Sequence, residues 1–172
     1  MVRLPLVTTW CDCTLKVSGS LTELDRFSKQ ASGPDSCLDP NQFAPYPKIF
    51  DILDKNISSL NNNNMSDEEM GILTLARLKG LDITKDGYNQ GGFDWYIDNW
   101  GFSTEIHPSL LWKKRTIRYS FNTMSSPAKL VKVMGKQFPK LSFSLEYIEA
   151  STGFHGKLKI ARGEVTSERE KG

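Results

Sequence analysis

Three sets of side chains in this sequence are of types that could do chemistry: Cys11 and Cys13, Asp94 and Asp98, and the histidines His107 and His155. Residues two apart on a strand project from one face, so both thiols would share the face of Leu15 and Val17. A zinc site normally takes four ligands, and only Cys37, His107 and His155 remain to complete one. The thiols are therefore read as small buried hydrophobes, and no metal is expected. Asp94 and Asp98, at i and i+4, would lie on one side of a helix. Such a pair could hold a cation or share acid–base work, but helix-terminal charge in contact with solvent accounts for it. His107 precedes Pro108 near a turn, and His155 falls on the polar phase of a strand. No serine elbow, phosphate-cradling glycine loop or metal-binding histidine motif surrounds either one. The expectation is a chain with no catalytic residues and no cofactor.

Charge and aromatic clusters offer binding chemistry instead. The 22 basic and 20 acidic residues leave a formal charge of only +2. Any contact with nucleic acid would therefore need a local patch, not a bulk field. The segment Trp112-Lys113-Lys114-Arg115, with Arg118, Lys157 and Lys159, is such a patch if its strands are neighbours. An RNA-recognition sheet also needs stacking rings on the same face. Tyr119, Phe121, Phe143 and Tyr147 are in phase with the core side, which leaves Trp10 and Trp112 as platforms. Lys129, Lys132 and Lys136 form a stripe opposite Leu130 and Met134 and read as a solvated helix face. In the aromatic segment Phe93 to Trp100, we expect Phe93, Ile97 and Trp100 to dock on the sheet. Trp95 is left as a potential partner anchor, since tryptophan and arginine dominate interface hot spots.

The elements that would position these groups are clearest at the two ends of the chain. Cys11, Cys13, Leu15 and Val17 alternate with polar residues, which predicts a strand. Ser20 and Glu23 then stand in capping-box spacing before Leu21, Leu24 and Phe27, which predicts a helix closed by Ser32-Gly33-Pro34. Later, Arg115 to Phe121 alternates as a strand, with Thr104 to Ile106 and Leu110 onward as hairpin arms leading into it. Ser126-Pro127 opens a helix carrying Leu130, Met134 and Phe138, which Pro139 ends. Leu141 to Tyr147 alternates again, and Phe154, Leu158 and Ile160 mark a last strand. Between the halves lie a helix near Ile49 to Leu53, an asparagine link at 61–64, a serine-capped helix from Ser66 to about Lys79, and the aromatic helix closed by Gly101.

In order, this is an α+β chain of 172 residues with a ferredoxin-like βαββαβ plait, an extra C-terminal strand and a helical insertion after the first helix. It is read as a single domain over 1–172, with its core at 9–31 and 101–162, the insertion at about 40–100, and a charged, frayed tail at 165–172. No apolar run approaches the roughly 20 residues that span a bilayer, and residues 1–7 are too short for a signal-peptide core. An odd count of three cysteines argues against a disulfide framework. A cytoplasmic setting and no membrane partner are expected.

Several of these segments, taken in order, resemble a family of uncharacterised phage and plasmid proteins with a YubB-type (Api-like) ferredoxin-like domain. They are Trp10-Cys11, Leu15 to Gly19, Leu24 and Phe27, then Tyr46-Pro47 and Asp94 to Gly101 with its Trp-x-x-x-Asn-Trp-Gly pattern. Tyr119 to Phe121, Ser126-Pro127, Phe138-Pro139, Phe143 to Tyr147, and Gly153-Phe154 with Gly156 continue it. Phe102 and Ser103 depart from the pattern. The resemblance implies a mobile-element setting in a bacterial host and supplies no catalytic residue. The first expectation is thus a non-catalytic protein that docks on a host protein, in one form as an inhibitor of host defence, through Trp95, Trp112, Lys113 and Lys114. The alternatives are a nucleic-acid-binding domain using Lys113, Lys114, Arg115, Arg118, Lys157 and Lys159, and an unrecognised hydrolase or nuclease built on a histidine.

Overall fold

The computed structural model describes residues 10–51, 66–78, 90–103 and 105–172. The chain divides into two compact units, Met1–Pro45 with Ile97–Gly172, and Tyr46–Tyr96.

The first unit is built on β1 (Cys11–Ser18), β2 (Ser109–Lys113), β3 (Thr116–Thr123), β4 (Ser142–Glu149), β5 (His155–Ala161) and β6 (Glu164–Lys171). They form one sheet in the order β2-β3-β1-β4-β5-β6, and every neighbouring pair is antiparallel. Two helices, α1 (Leu21–Ala31) and α4 (Ala128–Gln137), follow β1 and β3. Between them in the chain come α2 (Asp67–Leu78) and α3 (Gln90–Asn99). The mixed helix-and-sheet composition is as the sequence implied.

Alternation decides which face is dry. Cys11, Cys13, Leu15 and Val17 of β1 are buried, as are Ile117, Tyr119 and Phe121 of β3 and Phe143, Leu145 and Tyr147 of β4. Leu24, Phe27 and Ala31 of α1 and Leu130, Val131 and Met134 of α4 complete this layer. Phe27 is its hub. Its ring lies 5.4 Å from Phe43, 5.1 Å from Phe138, 5.6 Å from Phe143 and 6.2 Å from Tyr119. Helix α1 starts as its capping signal demands, with Ser20 Oγ accepting from the Glu23 amide at 3.3 Å.

Trp100 and Gly101 close the first unit. The Trp100 indole donates to the Ala44 carbonyl at 2.9 Å, and the Leu130 amide donates to the Trp100 carbonyl at 3.3 Å. Gly101 sits at φ +87°, where a Cβ would collide with the Ser126 carbonyl oxygen. The Trp-Gly pair is thus a packing joint at the start of α4.

In the second unit, Ser66 and Glu69 make the reciprocal capping box: each backbone amide donates to the other's side chain, at 3.0 and 3.2 Å. Tyr46 stacks on Tyr96 at 4.2 Å and meets Trp95 edge-on at 5.5 Å. The asparagine run at 61–64 and positions 52 and 53 of the helix expected near Ile49 lie outside the described residues, while 48–51 are helical.

Five expectations change. The charged tail is not frayed: β6 pairs along β5 from Ala161–Glu164 to His155–Lys171. It gave no strand signal because both its faces are polar, and electrostatics anchor it. Lys132 binds the Glu168 carboxylate at 2.8 Å through both oxygens, and the Tyr147 hydroxyl bonds Glu170. So Lys132 of the lysine stripe is engaged, not merely solvated. Arg115 is not in a strand: it belongs to the β2–β3 turn, where Lys114 takes φ +54°. No strand forms over 105–108, and residue 104 lies outside the described set. Phe93 is exposed, contrary to its expected docking on the sheet.

Gly101→Ala should cost at least about 2 kcal/mol in denaturant unfolding, because left-handed strain and a backbone collision add. Gly153→Ala, also at positive φ but with open space around it, should pay the strain alone. Equal losses for the two variants would contradict the packing role of Gly101.

Candidate functional site

Because both core helices lie on one side, the polar phase of the strands makes a second face, away from α1 and α4. Strand register places its residues in rows. One row crosses the sheet as Leu111, Arg118, Lys16, Ser144, Lys159 and Ser167. Arg118 and Lys16 are direct partners, with strands roughly 4.8 Å apart, and Lys159 stands two strands beyond Lys16. All three are exposed, and none makes an ion pair among the described residues. The neighbouring row, Ser109, Ser120, Thr14, Glu146, Lys157 and Arg169, is electrically mixed. In it Lys157 binds Glu146 at 3.2 Å. Farther along, Asn122 donates to Asp12, and Ile148 and His155 complete that end.

The predicted basic residues therefore separate. Arg118 and Lys159 come together through Lys16, which sequence reasoning did not single out. Lys157 is neutralised. Lys113, Lys114 and Arg115 cluster at the β2–β3 turn and are exposed. Trp112 pairs with Ile117, so it belongs to the helix-side phase. It is no stacking platform for the polar face, contrary to one use imagined for it. Placed at the sheet edge, it is still 40% exposed, and Leu111 beside it is 57% exposed. Trp95 is half-buried in the Tyr46–Tyr96 cluster of the second unit.

The remaining candidates are scattered. Cys11 and Cys13 are buried. Burial pushes the Cys13 thiol up to about 12, although Thr123 Oγ1 lies within hydrogen-bond reach at 3.3 Å. Burial also raises Cys11, with Glu149 adding to it. Both thiols are held protonated and pack as apolar groups. Cys37 donates to the Pro108 carbonyl at 3.4 Å. Asp94 is exposed, and Asp98 lies 3.8 Å from Lys129. His155 Nδ1 approaches the Gly153 carbonyl at 2.7 Å, while His107 lines a shallow depression with Trp10, Glu105 and Asn122. Among the described residues no three His, Cys, Asp or Glu side chains converge as metal ligands would. No helix among them is long and apolar enough to cross a membrane.

No family model matches the sequence, and no curated protein matches it. A solved structure does: the crystal structure of a protein api92 from Yersinia pseudotuberculosis, described with the family model DUF1281. It superposes with a TM-score of 0.54 at 13% sequence identity, covering 95% of this chain and 98% of that one. The likeness is one of fold. It extends over nearly the whole of both chains.

At the end of the sheet away from the cation row, Glu149 organises the β4–β5 turn. Its carboxylate accepts from the hydroxyls of Ser151 and Thr152 and from their amides at 2.8 and 2.9 Å. These bonds, led by Ser151 and then Thr152, lower its pKa from the ordinary 4.5 to about 2. A depressed folded-state value gives stability that is present above about pH 4.5 and lost as pH falls toward 2. Glu149→Gln should be less stable than the parent at pH 7, and its stability should fall less between pH 5 and pH 2. Parallel stability–pH curves from urea unfolding would refute the clamp.

Proposed function

We propose that this chain is a non-catalytic protein-binding member of the Api-like, YubB-type group carried by phages and plasmids. It acts in the cytoplasm of a bacterial host and inhibits a host protein such as a component of defence. Its core is read as a split βαβ plait. The succession β1-α1-β2-β3-α4-β4 with sheet order β2-β3-β1-β4 is what such a plait requires, and β5 and β6 extend it. The mobile-element setting rests on the ordered sequence resemblance.

The observation that carries the binding reading is the edge strand β2. Among the described residues it pairs on one side only, with β3. Its other side therefore offers backbone donors and acceptors to an added strand. Leu111 and Trp112 supply exposed apolar anchors, and Lys113 and Lys114 set the charge at the end of the strand. The partner that fits is an extended host segment with apolar residues and an acidic flank. Aromatic anchors and complementary charge then divide the work, affinity from the first and steering from the second. Trp95 serves packing within its own unit, so the reading rests on Trp112, Lys113 and Lys114.

The test begins with a tagged pull-down from nuclease-treated bacterial lysate, followed by purification of the captured protein and hydrogen exchange on the reconstituted complex. Amides of Ser109–Lys113 should gain protection, and Trp112→Ala with Lys113→Glu should weaken binding at least about tenfold. Protection confined to other segments, or unchanged affinity in the variant, would refute edge docking.

A further inference from the structure

We propose that the polar face of the sheet carries a second binding site, centred on Lys16 and adjoining the β2 edge, which holds the phosphate backbone of duplex DNA at its basic end. The chain is close to neutral, but the fold sorts its charges. Arg118, Lys16 and Lys159 line up across β3, β1 and β5. Lys113, Lys114 and Arg115 crowd the adjoining turn, which is held to the end of β1 by the Gly19 amide donating to the Arg115 carbonyl at 3.2 Å. On the polar phase of β1, β3, β4 and β5, the acids Asp12 and Glu146 lie farther along the sheet. There Asp12 is bonded to Asn122 and Glu146 to Lys157. Glu146 lies in the row beside the cations, and Glu164 stands opposite Ala161 at the start of the outermost strand.

Lys16 and Arg118 face each other as direct cross-strand neighbours, a like-charge pairing that costs stability on its own. An anion lying over the row would remove that cost. Three cations within four strands, interleaved with Ser144 and bordered by the hydroxyls of Thr14 and Ser120, supply the side-chain types that contact phosphate oxygens.

The absence of rings in this row favours a duplex over a single strand. Single-stranded nucleic acid is held largely by stacking on aromatic side chains. Here Tyr119, Phe121, Phe143 and Tyr147 all face the helices. Trp112 lies in the helix-side phase, and Trp10 precedes the far end of β1, six residues or roughly 20 Å from Lys16 along the strand. A duplex keeps its bases inside and presents phosphates outward, which is what an exposed basic row without rings can contact. Such contact carries little base specificity, because backbone contacts position a protein without reading sequence.

The experiment is fluorescence anisotropy with the full chain and a labelled DNA duplex of about 20 base pairs, in 50 and 200 mM salt. With about four phosphates neutralised, the rise in salt should weaken binding about 100-fold. The triple variant Lys16→Glu, Arg118→Glu, Lys159→Glu should lose about 100-fold at low salt, with its circular dichroism unchanged since all three side chains are exposed. Lys29→Glu, on exposed α1 surface, should bind as the parent does. The single strand of the same sequence should bind more weakly than the duplex. No binding at 50 mM salt, an unaffected triple variant, or preference for the single strand would overturn the site. Equal affinity for poly-glutamate would also overturn it, since the face would then read acidic polypeptide and not a phosphodiester backbone.

Discussion

Phe27 is the contact on which the architecture depends. Its ring touches the chain that follows α1 through Phe43, the end of α4 through Phe138, and two strands through Tyr119 and Phe143. An aromatic side chain buries about 150–250 Å², so one residue brings both helices to the same face of the sheet. Trp100 and Gly101 add a second joint, tying the return of the chain to Ala44 and to the first turn of α4. Every polar consequence follows from that one-sided burial. With α1 and α4 on one face, the polar phase of the strands carries the exposed charges on the other.

The two edges of the sheet are finished differently. β6 is charged or polar along almost its whole length and is held by Lys132–Glu168 and Tyr147–Glu170. Tyr147 reaches Glu170 by lying over Gly156, where a Cβ would strike its ring. Charged edges of this kind resist further strand pairing. β2 has the opposite character, with Leu111 and Trp112 exposed on a short strand. Among the described residues, one edge of the sheet is thus charged and the other carries exposed apolar side chains.

Cys11, Cys13 and Glu149 serve packing and turn-making. Cys11 and Cys13 share a face as the spacing requires, and that face is the core, where desolvation keeps them protonated. Glu149 was not singled out by any motif, although its Ser151-Thr152 neighbours are a turn signal. It is the most strongly perturbed carboxylate described, and hydrogen bonds to its charged form are the cause. Its role is to fix the β4–β5 connection.

The sequence by itself determined the local elements. Period-two alternation in β1, β3 and β4, the Ser20 and Ser66 caps, and the Gly101 stop are each set by interactions between residues a few positions apart, so they are legible without a fold. It did not reveal β6, because that strand has no apolar face and depends on a lysine and a tyrosine distant in the chain. It placed Arg115 in a strand, because the alternation runs through a turn that only backbone geometry defines. It grouped Arg118 with Lys157 and Lys159 on condition that their strands were neighbours, and it left out Lys16. Which of them meet is fixed by the register of β1 against β3 and β4, pairings more than a hundred residues apart in the chain. The burial of the core face sets that register, and so tertiary structure alone brought Lys16 between Arg118 and Lys159.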